Sequence, residues 1–286
     1  MFDYELKLRH IPKEIVFDQL DPHWIASDKR EPLVYFANSL SIFLCFFERY
    51  LIEVVREAMP LIEDQHVLTL VRQFIGQEAR HTSYHQDFNR MLLNAHYPQL
   101  KNNANWEKVF MSKLYQPGLE EKLLQVIFCE LLTASLARYF FKHIDLVLEK
   151  ANPAAAYLFG YHAAEELEHC AVCFDLYTLL YGQKPNVSQA CLQAYETCES
   201  MYLNTLQSGI AYMYASDAMV QGHQVDARAW AKDVLFLENG AFPGQALCPY
   251  FLDPSYYPLN DKIQDFGYLD QWDNAWSHKL LKKLKS

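Results

Sequence analysis

Apolar positions recur every three to four residues along most of the chain, and no stretch alternates cleanly with a period of two. That period is the mark of α-helices with one buried face. From Pro32 the pattern runs to Met59 and meets Pro60, which blocks helix continuation. A second stretch runs from Asp64 to Tyr97 and stops at Pro98, and a third runs from Leu119 to Lys150. Asn152-Pro153 breaks and restarts the chain, because proline is welcome in a first turn. The fourth stretch, Pro153 to Tyr181, ends at Gly182, a C-cap signal. Further helices are predicted at Trp106 to Leu114, 188–220, 226–238 and from Leu269 onward, with a long loop over Asn239 to Gly267. The fold class is therefore all-α, one domain over 1–286. It divides into an irregular arm at 1–31, a four-helix core at 32–181, and additional helices with a loop-rich region at 182–286.

Composition narrows this picture. At 51% hydrophobic and 15% aromatic residues the chain can bury a sizeable core. A net charge of −10 argues against nucleic acid or an anionic membrane as the main partner. The most apolar run, LVYFANSLSIFLCFF at 33–47, is 15 residues long and interrupted by Asn and Ser, so it reads as a core helix rather than a membrane span. The start, MFDYELKLRHIPKE, has no apolar signal-peptide region. The seven cysteines are an odd number without framework spacing, and most sit in helical runs. They read as reduced core thiols of a cytoplasmic protein, and the lone Cys170-x2-Cys173 carries little weight as a metal or redox pair.

Chemistry enters through carboxylates in apolar places. The second helix carries Glu78-x2-His81, and the fourth carries Glu166-x2-His169 with His162 one turn earlier. Spacings of three and four stack these side chains on one stripe. The other two long helices each place one Glu on the apolar face. Glu48 is flanked by Leu44, Cys45, Leu51 and Ile52, and Glu130 by Val126, Ile127, Thr133 and Ala134. Glu48 to Glu78 spans 30 residues and Glu130 to Glu166 spans 36, as in a duplicated helix pair. Four buried, unpaired carboxylates would each cost several kcal/mol. No matching set of buried Lys or Arg lies on the stripes, whereas four Glu and two divalent cations balance in charge. One Glu from each of two helices and one E-x-x-H from each of two others is the ligand set of di-iron and di-manganese bundles. Carboxylate with imidazole suits iron or manganese, and zinc less distinctively.

The predicted metal ligands are thus Glu48, Glu78, His81, Glu130, Glu166 and His169, holding two Fe ions, with Mn or Zn as alternatives. The pattern resembles the ferritin-like di-iron carboxylate superfamily, which implies a four-helix bundle with a di-metal centre. From about His23 to Trp272 the text also resembles the bacterial family called "predicted metal-dependent hydrolase". The carriers are Pro22-His23-Trp24, the Asn38-Ser39-Leu40 stretch, FIGQEARHTSYHQDFN at 74–89 and YHAAEELEHCAVCFDLY at 161–177. Before Glu48, where that family often has Pro and Gly, this chain has Leu44-Cys45-Phe46-Phe47. H-x3-E-x2-H on the fourth helix is similar to di-iron arylamine N-oxygenases, which implies His162 as a third His ligand. His85 mirrors it on the second helix, as a ligand or a supporting group. Superfamily members often carry an acidic residue before the motif's Glu that orients a His across the site; here those positions are Gln77 and Glu165. Arg80 and Arg138 read as surface or helix-end charges, and Tyr84, Tyr157 and Tyr161 as packing.

Three functions fit this reading. The first is an O2-dependent oxidase or oxygenase acting on a small apolar or aromatic substrate. The alternative is a metal-dependent hydrolase using a metal-activated bridging water. The third is a non-enzymatic iron-binding or structural bundle. The expected partners are a small-molecule substrate and O2, with no nucleic acid and no transmembrane segment, and with a homodimer compatible.

Overall fold

In this computed structural model the described residues are 2, 4–26, 31–103, 118–182, 187–236 and 267–285. The four long helical stretches are present. Helix α1 (Glu31–Ala58) ends in a tight turn at Met59–Leu61, where Pro60 sits. Asp64 caps α2 (Gln65–Met91), its carboxylate accepting from the backbone N–H groups of His66 and Val67. A π-helical turn, Leu92–His96, completes that stretch.

The third and fourth stretches are each two helices, which corrects the continuous elements expected from the pattern. Helix α3 (Leu119–Lys142) stops at His143, whose backbone leaves the helical region (φ −113°, ψ 19°), and α4 (Ile144–Lys150) follows. Asn152 caps α5 (Pro153–His169) through Ala154 N–H, and the chain breaks at Cys170–Ala171 before α6 (Val172–Tyr181). Apolar periodicity survives both breaks, because one residue of local irregularity leaves the same face buried. Helices α7 (Val187–Val220) and α8 (Ala227–Phe236) fall where expected. The tail forms α9 (Tyr268–Gln271), a π-helical turn at Trp272–Trp276, and α10 (Ser277–Leu284). The short helix expected at Trp106 to Leu114 and the loop at Asn239 to Gly267 lie essentially outside the described residues.

Packing closes α1, α2, α5 and α3 into a ring in which each helix touches its two neighbours. Helix α7 crosses α1 and α3 on the outside, and α10 packs on α5. Among the described residues there is no strand, and one isolated antiparallel bridge joins Ile25 to Ala151. The fold is therefore all-α. Helix α3 is long and apolar enough to cross a membrane, but 67% of its apolar window is buried inside the structure. The arm is irregular as expected, yet it is not peripheral, since Phe2, Leu6, Ile15, Phe17, Leu20, Trp24 and Ile25 belong to the core. Asp217 on α7 ties several pieces together. It accepts from Tyr35 Oη at 2.7 Å and Tyr97 Oη at 2.8 Å, and pairs with His23 Nε2 at 3.1 Å.

One contact leaves no slack. Gly160 on α5 faces the fully buried Trp272, and a methyl group at Gly160 would lie 2.3 Å from the indole. Gly160→Ala should therefore destabilise the protein by about 1–3 kcal/mol through overpacking. Urea unfolding monitored by circular dichroism would read this as a lowered midpoint, and an unchanged midpoint would mean the indole moves aside freely.

Candidate metal centre

The stripe on α2 stays buried as its chemistry changes. Val67, Leu70, Val71 and Phe74 lead without a break into Gln77, Glu78, His81, Thr82, His85, Phe88 and Asn89. The same helical spacing that builds the core thus delivers polar groups into it. Glu48 on α1, Glu130 on α3, and His162, Glu165, Glu166 and His169 on α5 are buried as well. The ring of four helices turns all of these faces toward one centre.

There the seven residues singled out from sequence meet. Donor atoms of Glu48, His81 and His162 lie within 4.8 Å of one another, and so do those of Glu78, Glu166 and His169. Glu78 and Glu166 also reach the first group, at 3.6 Å and 3.5 Å from His81 Nδ1. Glu130 borders the second group, 3.5 Å from His169 Nε2. Six buried atoms here make no well-aligned hydrogen bond, although the second and last of them stand 2.8 Å apart as an ion pair: Glu48 Oε1, Glu78 Oε1, His81 Nδ1, Glu130 Oε2, Glu166 Oε2 and His169 Nε2. Buried polar atoms are rarely left so. Oxygen and imidazole donors converging in two groups fit a pair of divalent cations.

Around these donors, Glu48 and the histidines are tied outward. Thr82 Oγ1 donates to Glu48 Oε2 at 2.8 Å. His81 Nε2 meets Glu165 Oε2 at 3.1 Å, and His169 Nδ1 meets Gln77 Oε1 at 3.2 Å. Each residue preceding a motif Glu thus holds the His of the opposite motif, which fixes the ring with its other nitrogen facing the centre. The arm secures these holders in turn. Arg9 N–H donates to Glu165 Oε1, Gln77 Nε2 donates to Lys7 O and Glu168 Oε2, and Arg9 bridges Glu168 and Asp273 at 2.9 Å each.

His85 stands behind His162 rather than among the donors. Asn89 Nδ2 donates to Ser41 O, so its Oδ1 is the acceptor for the Ser41 hydroxyl at 2.8 Å. Ser41 Oγ must then accept from His85 Nδ1 at 2.7 Å, which leaves His85 Nε2 to accept from His162 Nδ1 at 2.7 Å. The relay puts the bare Nε2 of His162 toward the centre, 2.8 Å from Glu166 Oε1 and 3.8 Å from Glu48 Oε1. Two acceptors that close call for a cation between them.

Charge balance without metal is uneven. Burial pushes Glu48 and Glu130 well above the usual carboxylate range, against the opposing pull of His81 and His169. Burial acts on Glu78 and Glu166 in the same direction, but His169, together with His81 at Glu78 and His162 at Glu166, holds both low. Burial disfavours a charged His81, yet Glu165 and Glu78 outweigh it and raise this imidazole to about 10. Burial, with the neighbouring His81, keeps His162 neutral-leaning; burial and His162 do the same for His85.

Sequence reasoning missed Thr82, Ser41, Asn89, Arg9, Lys7 and Glu168. Thr82 and Asn89 extend the α2 stripe at helical spacing and were findable there. The arm residues were not, because an irregular segment has no period. Arg80 and Arg138, expected at the surface, are half-buried with shielded guanidinium nitrogens. Arg80 shares its stripe with Gln77 and Tyr84, the face that the arm covers through Lys7 O and Ile11 N. Tyr161 does more than pack, since its hydroxyl donates to Glu165 at 2.9 Å. Cys170 and Cys173 are free and buried.

Two outcomes follow for metal binding. Loading two divalent ions at pH 7 should release at least one proton per chain, because His81 must lose its inner proton, and affinity should fall as pH falls. Calorimetry in buffers of different ionisation enthalpy measures this, and no proton release would contradict the assignment of His81. His85→Leu removes the acceptor for His162 and should weaken one metal by about 10–100-fold, while Glu166→Ala should lose at least one metal outright. Chelator competition distinguishes these, and wild-type affinity in H85L would dismiss the relay.

Comparison with known proteins adds one match. The family described as "predicted metal-dependent hydrolase" matches residues 9–261, a span that includes all four donor-bearing helices. No curated protein and no solved structure matches. The chain therefore belongs to the predicted metal-dependent hydrolase family.

Proposed function

We propose that this chain is a two-metal carboxylate enzyme, built on a ferritin-like four-helix core and acting on a small apolar substrate. The observation that carries it is the set of six carboxylate and imidazole atoms without a well-aligned hydrogen bond, sealed in the core and aimed at one another. Glu48, His81 and His162 would hold one ion, and Glu78, Glu166 and His169, with Glu130 beside them, the other. Two bound ions would supply either an activated water for hydrolysis or, as iron, electrons for O2.

Hydrolysis has the family description in its favour. O2-dependent oxidation is the second reading, favoured by the donor set and by the apolar approach to it. Four carboxylates with imidazoles make a near-neutral site for two divalent ions, and the cavity that reaches it has mostly apolar walls. In either chemistry the protein's share is the same. Glu165 and Gln77 orient His81 and His169, Thr82 steadies Glu48, and the relay through His85 fixes His162. An approach to the donors through an apolar cavity supports an enzyme over a store of iron.

The test is metal content per chain by mass spectrometry, followed by two assays on the loaded protein. Ester turnover that persists without O2 would support hydrolysis. A new near-ultraviolet absorption when the reduced iron form meets O2 would support oxidation. Protein that binds no metal under any loading condition would defeat both.

A further inference from the structure

A cavity runs from the surface to the donor cluster. Its outer end is marked by Leu33, Tyr139, Phe140 and the exposed His143, and its inner end by the buried Leu44, Thr133, His162 and Glu166. One wall is an aromatic pair from distant segments, Trp24 of the arm stacked on Phe159 of α5 with ring centroids 5.1 Å apart. The indole N–H is taken by Asn38 Oδ1 at 3.0 Å, so this wall is held and offers only its apolar face. The Thr133 hydroxyl is turned back to the carbonyls of Cys129 and Glu130 at 3.2 and 3.1 Å. Among the described lining residues there is no Lys or Arg. Along these walls nothing compensates a buried anion, and desolvating one there would cost several kcal/mol.

Size sets a second limit. The cavity holds ≈ 110 Å³, the same order as the ~150 Å³ apolar cavity that admits benzene in another protein. Ala37, Ala137 and Ala163 keep that space open, since any larger side chain there would fill it.

We propose that this cavity is the substrate site, and that it takes one uncharged aromatic ring or a branched alkyl group of similar volume, delivered end-on to His162 and Glu166. Any charged part of the substrate stays at the outer end, beside Tyr139 and His143. The assignment rests on the metal-centre reading for its chemistry, but its binding properties can be measured separately.

The probe is toluene, added to metal-loaded protein and followed by saturation-transfer NMR. Toluene should saturate a single site. Ala137→Phe should abolish toluene binding while the two metals stay bound. Leu136→Ala, which enlarges the cavity and does not depend on the first variant folding, should admit naphthalene that the wild type rejects. Metal-loaded wild type that binds no toluene overturns the cavity assignment and leaves the metal centre standing. Protein that takes up no metal defeats the underlying reading instead, whatever toluene does.

Discussion

Four carboxylates buried at the meeting point of four helices are the constraint on which the rest depends. A buried carboxylate is tolerable only when its charge is matched and its lone pairs are used. Here the outer lone pairs are used, as by Thr82 on Glu48, while the inner ones are left bare. A structural salt-bridge network would pair inner atoms with Lys or Arg; these point instead at each other and at imidazole nitrogens. Protons take up part of the imbalance, which is why Glu48 and Glu130 are pushed up while Glu78 and Glu166 stay low. The centre is thus arranged for cations, at the expense of stability in their absence.

That arrangement must be held rigidly, and the holding groups come from far along the chain. Arg9 reaches Glu168 on α5 and Asp273 near the C-terminus, closing contacts between sequence positions more than 150 residues apart. Through Glu165 and Gln77 the same segment controls the two E-x-x-H histidines. The Gly160–Trp272 contact clamps α5 from the other side. Both chain ends therefore brace the one helix that supplies His162, Glu166 and His169.

Much of this was legible beforehand because helices repeat. A period near 3.6 tells which residues share a face, so Glu48, Glu78, His81, Glu130, Glu166 and His169 could be assigned to core-facing stripes. What failed has the same cause. The breaks at His143 and at Cys170–Ala171 leave the period nearly intact and so do not register in it. The arm has no period at all, and its burial and its grip on Glu165 come from contacts that no local pattern encodes.

The sequence by itself determined the all-α class and the identity and helical placement of the charged groups in the core, because both follow from spacing along one chain. Only the tertiary structure decided which nitrogen of each histidine faces inward, that His85 stands behind His162, and that an apolar cavity opens on one side of the donors. Those are properties of the space between helices, where hydrogen-bond direction and packing shape are fixed jointly by residues far apart in sequence.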